Sequence, residues 1–473
     1  MNALLTVIRH ELRRLVRDRA TPVLALLFAA ICVYAAWNGQ RWTDQRGEAL
    51  RQIEIDLQES RDDSRARAAA AAAAQPGRTF SQGSVSASVW YQPTLPLRPL
   101  APLAIGQADG YPFDVRFHPV SPRTLFAPRE ASLSNPAALA AGSFDLAFVI
   151  VYLLPVFLLA LTYDLWIGER DRGTARLLLA QPVSPQVLFA GKAIALGGTV
   201  LLGLAALVGL TLLTFAGAGG LSGPALAALG GTVLLYGAFW VAVALTVNVW
   251  VRHAAGAALA CGAIWLGVTA LLPALLTAAV DLTHPAPSSA AYSNRLREVE
   301  LERQDVRRQQ APPARGATER EDRNAALRRT LTRVAEDMAA YAPVRDAFRT
   351  QEQARRELAH DLRFASPATV VQDSLERLAG TDATRAVAFQ EQAWDFAQGL
   401  RAHVEAQLTE TSSDDLPQLY AGVPAFRFAE PPATEVRQAL AANAAALLSF
   451  LIALGTVIGN GLQRPRLLDD DPP

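Results

Sequence analysis

Six stretches of this 473-residue chain are long and apolar enough to cross a lipid bilayer, and this feature constrains the fold more than any other. A helix rises about 1.5 Å per residue and the hydrocarbon layer is about 30 Å thick, so a span takes roughly 20 apolar residues. The stretches run from Thr21 to Trp37, Ser143 to Tyr163, Gln186 to Ala216, Ala225 to Trp250, Gly256 to Val280 and Gln438 to Gly459. None carries a charge in its middle. Asp145, Asp164, Lys192 and Arg252 lie near the ends, where long side chains snorkel and acids meet headgroup water. Backbone polar groups in hydrocarbon must be satisfied within the segment, which predicts an all-α polytopic membrane protein with six transmembrane helices.

Arginine placement predicts the orientation, because basic residues beside short loops are retained in the cytoplasm. Arg9, Arg13, Arg14, Arg17 and Arg19 form part of an N-terminal segment, residues 1–20, before the first span. Arg170, Arg172 and Arg176 follow the second span, Arg252 lies between the fourth and fifth, and Arg464 and Arg466 fall in the tail, residues 460–473. The 217–224 connection has no charge. Both termini are thus expected inside, which puts two large segments, 38–142 and 281–437, on the outer side.

The first outer segment reads as a polar helix around Glu48 to Arg67, continued by Ala68 to Ala74 and stopped at Pro76 and Gly77. Beyond it, Pro93, Pro96, Pro99, Pro102, Pro112, Pro119 and Pro122 forbid long helices and predict turns or short strands. The second reads as a small helical domain. Leu327, Leu331, Val334, Met338 and Tyr341 recur at helical spacing, as do Phe389, Phe396, Leu400, Val404 and Leu408. Pro312, Pro313, Pro367 and the Gly380 to Asp382 corner divide it into three or four helices.

Composition removes several classes of function. Mean hydropathy is +0.17 with 51% hydrophobic residues, and 44 basic residues balance 44 acidic ones, so there is no basic excess for a nucleic-acid partner. Cys32 and Cys261 sit in apolar runs, and His10, His118, His253, His284, His360 and His403 are scattered without ligand spacing, so no metal site is expected. Gly191-Lys192 is followed by Ala193 and lacks the first glycine of a phosphate loop, and no Gly-x-Ser-x-Gly elbow occurs. The chain carries no catalytic constellation of its own.

The segment 164–185, with the residues up to Lys192, is short, charged and held between two spans. Gly173 and Thr174 can begin a short helix, Leu177, Leu178 and Leu179 give it an apolar side, and Pro182 ends it. Such an element suits docking to a partner; an ordinary positive-inside loop is the plainer reading of its arginines. Two further candidates lie in the second span: Pro155 as a hinge, and Asp145 as an outer-face contact or a simple helix-terminal carboxylate. Ala258, Gly262, Ala263 and Gly267 allow close helix approach, within the chain or between copies.

Glu169, Arg170, Gly173, Thr174, Leu177, Leu178, Pro182, Val183, Ser184, Gly191 and Lys192 follow in an order that resembles the ABC-2 type permeases. Leu103 to Asp109, Asn135 to Asp145, Pro155 to Tyr163 and Phe364 to Phe389 are similar to a subgroup with enlarged outer loops, DUF3526. The resemblance implies a non-catalytic permease subunit of a bacterial inner-membrane ABC transporter, exporting an unidentified substrate. It also implies that 164–185 is a coupling helix seated in a separate P-loop ATPase subunit, which would hold the ATP and magnesium while this chain binds no cofactor. A second permease copy or a related permease would complete the assembly, and envelope proteins are further candidate partners of the outer domain. The alternative is a membrane-anchored assembly, signalling or mechanotransmission protein that transports nothing.

Overall fold

The structure, a computed structural model, describes residues 2–17, 19–75, 80–106, 108–121, 143–171, 173–174, 185–216, 222–310, 323–408 and 415–462. Helix α1 (Asn2–Arg17) precedes α2 (Ala20–Ala74), α3 (Leu146–Asp171), α4 (Ala190–Phe215), α5 (Gly223–Trp250) and α6 (Ala254–Thr283). Then come α7 (Ser289–Gln310), α8 (Arg323–Leu362), α9 (Pro367–Ala379), α10 (Ala383–Gln407) and α11 (Ala433–Leu462). Helices α2 to α6 and α11 are the six long and apolar enough to span a membrane. Among the described residues there is no strand, only isolated bridges pairing Tyr91 with Phe117, Thr94 with Asp114 and His118 with Ser121.

Helix α2 differs from expectation by being continuous. Its apolar first part and the polar stretch through Ala74 form one helix of 55 residues, because no proline falls between Pro22, in its first turn, and Pro76. At about 1.5 Å per residue it is about 80 Å long, so its polar half stands roughly 50 Å clear of a bilayer. Proline-rich residues 80–121 fold back along it as short turns, including a helix at Gln82–Ser86 and 3-10 turns at Ala101–Leu103 and Ala108–Gly110.

The 281–437 segment contains α7 to α10 and a short helix, Leu416–Ala421. Pro343 lies inside α8, while Pro312 and Pro313 fall outside the described residues. The two sequence-predicted faces are largely buried, from Leu331, Val334, Met338 and Tyr341 to Phe389, Leu400, Val404 and Leu408. Yet this segment is not a separate domain throughout. Val370, Val371 and Leu375 of α9 belong to the same core as Phe28 of α2, Leu154 of α3, Trp240 of α5 and Leu447 of α11. Helix α9 therefore closes one end of the bundle, the distal end; α1 and Lys192 mark the opposite, basal end. Asn443 of α11, 1% exposed, fixes α9 by donating to Asp373 at 2.8 Å and to Ser374 at 2.9 Å.

The small residues Ala258, Gly262 and Ala263 of α6 face outward. A methyl group added at Gly262 or Gly267 meets nothing within 4 Å, so these positions do not serve packing inside the chain.

Candidate functional site

At the basal end three segments converge on one lysine. Lys192 is 3% exposed; its Nζ lies 2.5 Å from Glu11 Oε1 of α1 and 3.3 Å from Glu169 Oε1 of α3. Desolvating an ammonium is costly unless carboxylates and hydrogen bonds replace its water, and two carboxylates do so here. Approach of α1 is close because residue 191 is glycine: a Cβ there would come within 2.7 Å of Val7 Cγ1.

Glu169 also organises the turn that follows it. The Thr174 hydroxyl donates to the Glu169 carboxylate and, at 3.1 Å, to its backbone carbonyl. Gly173 adopts φ +71°, a left-handed conformation that side-chain-bearing residues rarely take, and its N–H donates to the Arg170 carbonyl at 2.9 Å. Next to Arg170, the Asp171 carboxylate accepts from Ala254 N at 3.3 Å, at the start of α6. The fold thus brings Glu169, Thr174, Gly191 and Lys192 together, with Arg170 and Gly173 in the same turn. Leu177, Leu178 and Pro182 lie outside the described residues, as do Val183 and Ser184.

Two residues of this end escape a reading by motif. Glu11 looks like one more charge on an amphipathic helix, yet it is 3% exposed. Asn248, 2% exposed, holds a break in α3 at residues 163–166. Its amide donates to the carbonyls of Thr162 at 3.2 Å and Tyr163 at 2.9 Å, and its Oδ1 accepts from Trp166 N at 3.0 Å and Ile167 N at 3.3 Å. The available signal was an asparagine inside an apolar span, where a polar side chain needs a partner.

In the middle of α3, Pro155 follows a π-helical turn, Val149–Leu153. Proline has no N–H for the carbonyl four residues earlier, and the widened turn relieves its clash. That carbonyl, Val151, instead accepts from the Tyr236 hydroxyl at 2.8 Å, and the next, Tyr152, accepts from Trp265 Nε1 at 3.0 Å. Helix α6 also has a π turn, Gly267–Leu271, ahead of a proline, Pro273; there the Val268 carbonyl, five residues before the proline, accepts from Ser366 Oγ at 3.1 Å.

At the distal end Asp145 caps α3, accepting from Phe148 N at 2.7 Å while its other oxygen accepts from Ile105 N at 2.7 Å. Glu376 of α9 abuts Gly106, whose φ is +54° and where a Cβ would meet the Glu376 carboxylate at 2.8 Å. Burial, with added repulsion from Asp373, Asp382 and Asp145, raises the Glu376 carboxyl to about 7 although the Gln372 amide donates to it.

Among the described residues no group of three or more histidine, cysteine or acidic side chains is placed to hold a metal ion. No curated protein matches the sequence. A family model described as ABC-2 family transporter protein matches residues 5–462, nearly the whole chain and all six candidate spans. With its helical architecture, this multi-pass membrane chain belongs to the ABC-2 transporter family.

Proposed function

We propose that the chain is the non-catalytic permease subunit of an ABC transporter, of the DUF3526 subgroup with enlarged extracytoplasmic segments. It sits in a bacterial inner membrane with both termini cytoplasmic, pairs with a second permease, and exports its substrate using ATP hydrolysed by a separate P-loop subunit.

The observation that carries this reading is the buried Glu11–Lys192–Glu169 cluster. Glu169 belongs to the cluster and Thr174 bonds to it, so a force on this turn reaches α1, α3 and α4 together. The α3 break held by Asn248 lies immediately above, where a tilt of the basal turn passes into the span. A partner that closes on ATP therefore has a handle on two spans.

The test is gentle solubilisation of the tagged protein from its native membrane, with mass spectrometry of what co-purifies at near-equal amount. A P-loop ATPase is expected, with its hydrolysis uncoupled from transport by Glu169→Gln while membrane insertion persists. Recovery of envelope proteins alone, with no ATPase, overturns the permease reading and favours a membrane scaffold.

A further inference from the structure

A groove of about 630 Å³ runs along the distal part of the molecule between the polar half of α2 and two non-helical segments, residues 91–96 and 425–428. Its floor is aromatic. Phe396 of α10 lies edge-on to Tyr91, ring centres 5.9 Å apart, and to Phe426 at 5.5 Å.

Both non-helical segments present strand-like edges. Tyr91 and Phe117 exchange backbone hydrogen bonds of 3.0 and 2.9 Å, and Pro93 O and Leu95 N bond the same neighbouring segment at 3.0 and 2.7 Å. Alternate residues of an extended chain direct their N–H and C=O groups to opposite edges. Gln92 and Thr94 therefore turn theirs the other way, and neither makes a backbone hydrogen bond to a described residue. Residues 424–429 alternate between half-buried and exposed, the period of an extended chain. The N–H and C=O of Ala429 are both taken by the Gln392 side chain at 2.8 Å. Phe426 and Phe428 direct their backbone groups to the opposite edge, again without a hydrogen bond to a described residue.

The charge of the lining is one-sided: Arg51, Arg61 and Arg427 against Glu54. Arg61 Nε is buried and has no hydrogen-bond partner among the described residues, although buried donors are almost always paired.

We propose that this groove docks an extended polypeptide segment that carries a carboxylate. The segment adds as a strand to the open backbone edges, seats alternate apolar side chains on the Phe396 and Phe426 rings, and places an acidic side chain on Arg61. A strand edge recognises amides that repeat regularly along an extended chain, which lipids and glycans do not present, and the arginines select acidic over basic peptides. The inference stands apart from the ATP-coupled reading, since binding is measured without nucleotide.

The full-length protein in lipid nanodiscs is titrated with a short fluorescein-labelled peptide of alternating valine and glutamate. Two control peptides are used, one N-methylated at every second amide and one with lysine replacing glutamate. Saturable binding of the acidic peptide is expected, with both controls weaker by about tenfold or more. Arg61→Gln should weaken the acidic peptide about tenfold and leave the lysine peptide unchanged. Because that side chain is half-buried, the exposed Ala425 supplies a second variant: Ala425→Cys carrying a bulky maleimide should abolish binding, and the unlabelled variant should bind normally. Cys32 and Cys261 are buried, so the label goes to position 425. Equal binding of the N-methylated peptide, preference for the lysine peptide, undiminished binding to the labelled variant, or no saturable binding would each overturn the proposal.

Discussion

The Tyr236 hydroxyl donates to the Val151 carbonyl, the acceptor that Pro155 leaves without its helical donor. A proline in a span is thereby tolerated through a side chain from another span. Substituting Tyr236→Phe should destabilise the bundle by about 1 kcal/mol, the scale of interhelical hydrogen bonds in membranes. Pro155→Ala restores an N–H that can reach Val151, so on that background Tyr236→Phe should cost clearly less. Equilibrium unfolding of the four proteins in one detergent measures the coupling, and strictly additive effects would refute this account.

Lys192 is held by two carboxylates, and its removal leaves them facing one another in a buried place. Lys192→Met should lower stability by about 3–5 kcal/mol, the range for breaking a buried pair from one side. Adding Glu11→Gln and Glu169→Gln to Lys192→Met should recover most of that loss. The same unfolding assay reads both, and no recovery in the triple variant counts against charge burial as the cause.

Asn248 satisfies donors and acceptors on both sides of the α3 break. Asn248→Leu keeps the bulk and removes the partners, at a cost of about 2 kcal/mol or more. Amide hydrogen exchange locates the effect: Trp166 and Ile167 should exchange much faster, with amides in the middle of α5 little changed. Unaltered protection at those two amides would mean that the break is held by packing alone.

The Glu376 carboxyl sits at about 7 in the folded protein against an ordinary value of 4.5, so the folded state holds its proton more tightly than the unfolded chain. The resulting stabilisation is complete below about pH 4.5 and is lost as pH rises towards 7. Glu376→Gln removes this contribution, so between pH 5 and 7.5 its melting temperature should fall less, or rise more, than that of the unaltered protein. An identical pH profile in the variant would assign the slope to other groups.

Much of the architecture is legible from the sequence because it is dictated by local rules. A run of about 20 apolar residues must form its hydrogen bonds internally if it is to cross hydrocarbon, so six such runs imply six helices and an all-α protein whatever their packing. Glu169, Gly173, Thr174, Gly191 and Lys192 stand close in the chain as well as in space, at the basal end. The continuity of α2 was also there to be read: no proline interrupts it until Pro76. The change from apolar to polar composition after Trp37, with Asn38 and Gly39, looks like a boundary, but without a proline it does not break the helix.

Partners distant in sequence were decided only by the tertiary structure. Glu11 and Lys192 are 181 residues apart, and nothing in the periodicity of α1 marks Glu11 as the charge that is buried. Ser366 and Val268 meet across 98 residues because α9 enters the core of the bundle, where composition alone suggested an outer domain. Hydrophobic pattern fixes which residues leave water, but it is non-directional. Which donor reaches the carbonyl freed by a proline, and which carboxylate neutralises a buried lysine, follows only once the helices are packed and each buried polar group has found a neighbour.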